Sequence, residues 1–285
     1  MRLRVWDVEH GACIMLQPVT ASPFGDQYGR LAMIDAGNSG TWSPSSYIRY
    51  VLNRTRLDYL FITNADHDHM SDLRGLDQAG VTVDTLIRNR SYTGATMKAI
   101  KLGGGPLTGD AEWYVQACDS FNMPPRLPFN QGMDGIICET FCNPFPRFID
   151  TNNLSLVVFI RYSGMTFLFP GDLEREGWLA LLERSDFRAL LPTVDVLMAS
   201  HHGRENGYCA EVFEICRPQA VIISDKSIVH DTQRAPNYRA VVKDEGVIVR
   251  TTMKRRHVLT TRRDGSIQFE ADANGRFFII TEKQG

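Results

Sequence analysis

The chain has 285 residues, 43% hydrophobic and 22% charged, with a formal net charge of −2. That length accommodates one large domain or two small ones, and the near balance of charge argues against a dedicated nucleic-acid coat or a membrane-surface protein while leaving room for a local basic patch. No apolar run reaches the roughly 20 residues a membrane span needs, so no membrane partner is expected.

The amino terminus, MRLRVWDVEHGACIML, reads as a strand with polar interruptions rather than a signal peptide. Short apolar runs at 3–8, 12–18 and 31–35 predict strands, the last ending in the Gly-rich turn IDAGNSG. SPSSYIRYVLNR (43–54) predicts a helix capped by Ser43 or Ser45, with Pro44 in its first turn. LDYLFIT (57–63) predicts a buried strand, MSDLRGLDQAG a short helix ended by Gly80, and VDTLIRN (83–89) another buried strand. Residues 91–130 carry GGGPLTGD and MPPRLPF around the helical segment AEWYVQACDSF, and read as an insertion arching over something. The second half repeats the rhythm. SLVVFIRY (155–162) and TFLFPGD (166–172) pair through Ser163-Gly164; then come a helix (EREGWLALLERS), DVLMASHHG (195–203), a helix (CAEVFEICR) and QAVIISD (219–225). The end reads as all strand: VIVRTT, HVLTTRRDGSIQFEAD and GRFFIITE, with Asp264-Gly265 and Asn274-Gly275 as hairpin-type turns. No linker-like shift in composition divides the chain, which predicts one α/β domain over 1–285 with two sheets covered by helices on their outer faces. Six scattered cysteines, mostly among apolar neighbours, fit reduced core thiols and set the expectation of a cytoplasmic protein.

Within FITNADHDHMSDL (61–73), three aspartates and two histidines fall in seven positions behind an apolar run. A solvated loop with Asn64 or Asp66 capping the next helix would explain it; so would a metal-binding turn at the carboxyl end of a buried strand. Two further strands end similarly, PGD in Asp172 and ASHHG in His201 and His202. Asp172 alone reads as a helix cap, and the two histidines as a turn. The recurrence of hydrophobic strand, glycine and ligand-type residue favours a site, since an α/β fold places its chemistry at strand carboxyl ends.

In their order these motifs resemble the metallo-β-lactamase superfamily, and within it the nuclease-like domain of the competence protein ComEC. The family's HxHxDH corresponds to Asn64-Ala65-Asp66-His67-Asp68-His69, and its opening DVGxGDA-type strand to Asp7-Val8-Glu9-His10-Gly11-Ala12. Its D-[ST]-G turn corresponds to Asp35-Ala36-Gly37, its NNxSLV strand to Asn152–Val157, its TGD to Pro170-Gly171-Asp172, and its SHHGS to Ser200–Arg204. The resemblance spans about residues 3 to 225 and implies an αββα four-layer sandwich with the site at one edge between the sheets.

The departures shape the expected site. Asn64 and Asp66 replace the first two histidines, and Asn152 and Asn153 stand where the family often places a further histidine. The resemblance therefore implies one pocket of Asp68, His69, Asp172 and one of His201 and His202, a mixed N/O set for zinc, manganese or iron. The other pocket would hold Asn64, Asp66, Asp172 and Asn153, oxygen donors that favour magnesium, manganese or calcium. The expected cofactor is one or two divalent ions, Mn, Mg or Zn. Asp35 is expected to orient a ligand, His67 to point away, and Asp7 and His10 either to shape the site's wall or to cap the strand.

With such ions, Asp172 would bridge them and Asp68 or Asp66 would accept the water's proton. Arg204, Lys226 and His230 are candidates for phosphate contact, with ordinary exposed loop residues the competing reading. Lys254, Arg255, Arg256 and His257, with Arg262 and Arg263, suggest a track for a phosphate backbone or simply a solvated face. The expectation is a metal-dependent hydrolase, a phosphodiesterase or nuclease with a nucleic-acid or nucleotide substrate. The alternatives are a scaffold that has lost its metals, and a hydrolase of a non-phosphate ester, lactone or amide.

Overall fold

The computed structural model describes residues 1–226, 233–271 and 277–283. Two large sheets face each other. Among the described residues the first has nine strands, in the order Lys254–Arg256, Val247–Val249, Phe277–Thr281, Ile267–Ala271, Arg2–Val5, Ile14–Gln17, Ala32–Ile34, Tyr59–Phe61 and Leu86–Ile87. The second has six: Ile137–Cys142, Leu156–Tyr162, Met165–Phe169, Val196–Met198, Ala220–Ile223 and Val258–Thr260.

Side-chain alternation explains the layering. Along Ile14–Gln17, Ile14 and Leu16 face the second sheet, while Met15 faces the other way. Along Leu156–Tyr162, Leu156, Val158 and Ile160 face the first sheet, while Val157 and Phe159 face outward. These strands read as continuous apolar runs because both faces are covered. Leu3, Val5, Phe61, Phe167, Phe169 and Phe269 fill the space between the sheets. Leu73, Leu76, Met97 and Tyr114 cover the outside of the first sheet, and Trp178, Leu181, Phe187 and Tyr238 the outside of the second. Helices, sheet, sheet and helices give the expected αββα order.

Several expectations are refined. Ser43 rather than Ser45 caps the helix that begins at Pro44, and that helix continues as a π-helix over Tyr47–Val51. The 91–130 segment forms helices at Gly94–Leu102 and Gly109–Ser120. Their buried Met97, Ala111, Tyr114 and Cys118 belong to the outer layer. Asp264-Gly265 is not a hairpin turn. The chain leaves the second sheet after Val258–Thr260, makes a short helix at Thr261–Asp264, and enters the first sheet at Ile267–Ala271. Asp264, fully buried, holds this crossing by accepting both Arg256 guanidinium nitrogens (2.7 and 2.9 Å) and the Thr260 backbone N–H (2.8 Å). The Asn274-Gly275 turn lies outside the described residues. No described helix is long and apolar enough to cross a membrane.

Candidate metal centre

Parallel pairing brings the chemistry to one edge. Ala32–Ile34 runs parallel to Tyr59–Phe61, and Met165–Phe169 parallel to Val196–Met198. The carboxyl end of each pair therefore opens the same way, delivering Asp35 and Asp68-His69 from one sheet and Asp172 and His202 from the other. Ligand atoms of Asp68, His69, Asp172 and His202 all lie within 4.8 Å of one another.

Each histidine is oriented from behind. Asp35 accepts from the Thr63 backbone N–H (2.7 Å) and hydroxyl (2.5 Å), and its Oδ2 accepts a hydrogen bond from His69 Nδ1–H at 2.8 Å. His202 Nδ1 donates to the Ser224 carbonyl at 3.1 Å. With both Nδ1 atoms committed as donors, each imidazole in its neutral form presents an Nε2 lone pair to the cluster. His69 Nε2 lies 3.1 Å from Asp172 Oδ1; His202 Nε2 lies 3.1 Å from Asp68 Oδ2 and 3.6 Å from Asp172 Oδ1. Both Nε2 atoms are buried without a well-formed hydrogen bond.

Lone pairs aimed at carboxylate oxygens repel unless a cation stands between them. Protonation is one remedy. Burial lowers the His69 and His202 pKa values, but Asp172 leads the neighbouring carboxylates in overriding it, raising His69 well above its ordinary range and His202 to about 9. Burial also pushes Asp68 and Asp172 up; His69 and His202 more than reverse this and hold both carboxyls low. A divalent ion is the other remedy, and two imidazoles with two carboxylates over a floor of Ala12, Ile34, Phe169 and Met198 form a donor set that fits one.

Backbone geometry fixes these positions. His201 and His202 have φ of 47° and 53°, and Gly203 follows at 75°; left-handed backbone at two histidines costs on the order of 1 kcal/mol each or more. This twist separates the pair: His202 enters the cluster, while His201 turns aside, its Nδ1 3.6 Å from Glu174. On the other side, a Cβ on Gly11 would stand 2.2 Å from the Asp68 carbonyl oxygen, and one on Gly37 would stand 2.5 Å from it. Two glycines thus let the opening strand and the Asp35 turn close on the Asp68 backbone.

The oxygen-donor pocket does not form as expected. Lys101, from the Gly94–Leu102 helix, places its ammonium 2.7 Å from Asp66 Oδ1, and the Thr151 hydroxyl donates to Asp66 Oδ2 at 2.9 Å. Asn64 Nδ2 faces Asn152 Oδ1 (3.0 Å) and Asp66 Oδ2 (3.5 Å). Asn153 turns away: its Oδ1 accepts the Gly177 N–H at 3.0 Å, and its Nδ2 and backbone N–H donate to Asp150. The expectation of Asn153 as a metal ligand is therefore corrected; it ties a turn to the Arg175–Leu182 helix.

Around the centre, His10 comes closer than its motif position suggested. Its Nε2 is 3.4 Å from Asp68 Oδ2 and its ring 4.4 Å from that of His202. Burial, then His202, lower its pKa to about 4, with Arg204 and Lys226 adding to the effect. Arg204 and Lys226 therefore sit within electrostatic reach of the rim. Asp7 pairs instead with Lys283 at 3.0 Å. His67 is exposed. His230 lies outside the described residues. Lys254 and Arg255 are exposed on an edge strand six positions across the sheet from Ala32–Ile34, and Arg256 is committed to Asp264. Arg256 as a phosphate contact is corrected on that ground. Lys101 and Ser224 were missed. His10 stood in the opening motif, whereas nothing in the sequence around Lys101 or Ser224 marks their roles.

No protein-family model and no curated protein matches the chain. Solved structures do. The metallo-beta-lactamase fold protein YhfI from Bacillus subtilis is 10% identical, with 95% of this chain and 100% of that one covered and a TM-score of 0.47. Zn(2+)-bound PqqB from Methylobacterium extorquens is 12% identical over 95% and 100% of the two chains, at 0.48. A long form RNase Z from yeast is 11% identical over 85% of this chain and 40% of that one, at 0.46.

Proposed function

We propose that the protein is a metal-dependent hydrolase acting on phosphodiesters, with Asp68, His69, Asp172 and His202 holding a divalent ion. The observation that carries this is the convergence of two buried Nε2 atoms, neither with a well-formed hydrogen bond, on two carboxylates. A divalent ion bound by mixed nitrogen and oxygen donors lowers the pKa of water towards ~7 and polarises a phosphoryl oxygen. Zinc, manganese and iron suit this set.

The chain's own groups supply the rest. Asp68 is the most solvent-exposed of the four, its side chain 22% accessible, and it faces the open side of the centre. His10 beside it, lowered to about 4 chiefly by burial, is too weak a base at neutral pH to take the water's proton, and its place is to help hold that water. Arg204 and Lys226 bring positive charge to the same rim, where a phosphoryl group would lie. Asp35 keeps His69 in the tautomer that presents Nε2. The ComEC-like order of motifs supports a phosphodiester over a lactone or thioester. With Arg256 bound to Asp264, the support for a long polyanion track falls on Lys254 and Arg255 alone.

The direct test is a panel of single- and double-stranded DNA, RNA, cyclic dinucleotides and bis-p-nitrophenyl phosphate, with manganese or zinc added. We expect cleavage that falls at least about 100-fold in Asp172→Ala and in His202→Ala, together with loss of bound metal. Inactivity on every phosphodiester, with metal demonstrably bound, would overturn the substrate assignment in favour of a non-phosphate ester or amide.

A further inference from the structure

The corner of the site occupied by Asn64, Asp66 and Asn152 is where the resembled family binds a second ion, and its groups do not fit one. Asp66 is the only carboxylate among those three residues. Its Oδ1 receives the Lys101 ammonium at 2.7 Å, and its Oδ2 receives the Thr151 hydroxyl at 2.9 Å and, more distantly, the Asn64 amide at 3.5 Å. The Asn152 carbonyl is taken by Asn64 Nδ2 (3.0 Å), and the Asn152 amide donates to Glu174 (2.9 Å), which also accepts from Asn206 (2.7 Å). Asn64 Oδ1 and His201 Nδ1 are left buried without a partner, but apart from Asp172, which the four-residue centre already uses, the nearby carboxylates Asp66 and Glu174 are both engaged by donors, and a divalent ion of this kind needs carboxylate oxygen. A dication placed here would have to share Asp66 with the Lys101 ammonium.

We infer that the centre is mononuclear and that Lys101 stands in place of the second ion. Resting on the metal centre proposed above, this assigns the helix Gly94–Leu102 a role beyond packing: its last turn carries a fixed positive charge to the edge of the site. The buried Met97 on the same helix anchors it in the outer layer, so Lys101 reaches Asp66 from packed structure. A lysine supplies one charge rather than two and leaves no open coordination position, so water activation falls to the four-residue centre alone.

Metal stoichiometry tests this independently of turnover. Protein stripped of metal and dialysed against micromolar Mn²⁺ should take up one ion per chain, with the isolated six-line spin-resonance signal of a single Mn²⁺. Lys101→Met frees Asp66 and should bind a second ion, giving a spin-coupled pair; Lys101→Arg keeps the charge and should stay at one. Thermal melting of each variant checks that it is folded. Two ions in the wild type, one of them lost in Asp66→Asn, overturns the inference while leaving the metal centre standing. One ion in both wild type and a folded Lys101→Met also overturns it, since the lysine would then exclude nothing. No ion in the wild type overturns the inference and the proposed centre together.

Discussion

His202 concentrates the residue-scale physics of the site. Its φ is left-handed, its Nδ1 is committed to Ser224, and its Nε2 faces two carboxylates. In the metal-free protein its pKa is raised to about 9 by Asp172 and Asp68 against the lowering effect of burial. A group whose pKa is raised on folding contributes stability that is fully present below its unfolded value, near 6.5, and is lost as pH rises through the folded value. Asp68 and Asp172, held low, contribute stability above about 4 that is lost in acid. Metal-free protein should therefore be most stable between about pH 4 and 6.5 and should lose stability from pH 6.5 to 9, as followed by urea unfolding at each pH. An ion needs the neutral imidazole, so metal affinity should rise over the same interval, with proton release on binding. Flat stability from pH 6 to 9 in metal-free protein would contradict the charge arrangement.

At the scale of elements, the site depends on loops closing to within contact of the Asp68 backbone. Gly11 has φ of 124°, and a Cβ there would stand 2.2 Å from the Asp68 carbonyl oxygen. Gly11→Ala combines left-handed strain with that collision, so we expect a stability loss of about 1–3 kcal/mol by denaturant titration. Metal affinity should weaken alongside it, because Asp68 and His69 ride on the displaced turn. Gly25, also left-handed but with nothing within 4 Å, is the control: alanine there carries the strain alone. Much of this was legible in the chain. Glycines beside strand ends, the apolar runs and three ligand-bearing termini recur in an order that only a fold bringing them together explains. The choice between His201 and His202 was not legible, since it rests on two left-handed residues in succession. Lys101 was hidden too: it sits 35 residues from Asp66 in a helix whose docking is set by Met97 and Tyr114.

Across the whole molecule, the carboxyl-terminal third distinguishes charge that builds the fold from charge that faces solvent. The run Lys254-Arg255-Arg256 looked uniform in sequence, yet Arg256 pairs bidentately with the fully buried Asp264 while Arg255 is exposed on an edge strand. The difference follows from topology. The chain crosses from the six-stranded to the nine-stranded sheet between Val258–Thr260 and Ile267–Ala271, and Asp264 anchors that crossing. Removing the Arg256 guanidinium would strand a buried carboxylate, a loss of roughly 3–5 kcal/mol. Arg255→Ala should change stability by less than about 0.5 kcal/mol, as surface substitutions do. If Lys254 and Arg255 touch a polyanion, Arg255→Ala should weaken single-stranded DNA binding and reduce the slope of log affinity against log salt by about 0.7. Unfolding titrations and salt-dependent DNA binding on both variants separate these roles. Equal destabilisation by the two substitutions would refute the crossing's dependence on Arg256, and an unchanged salt slope in Arg255→Ala would remove the edge strand from any nucleic-acid surface.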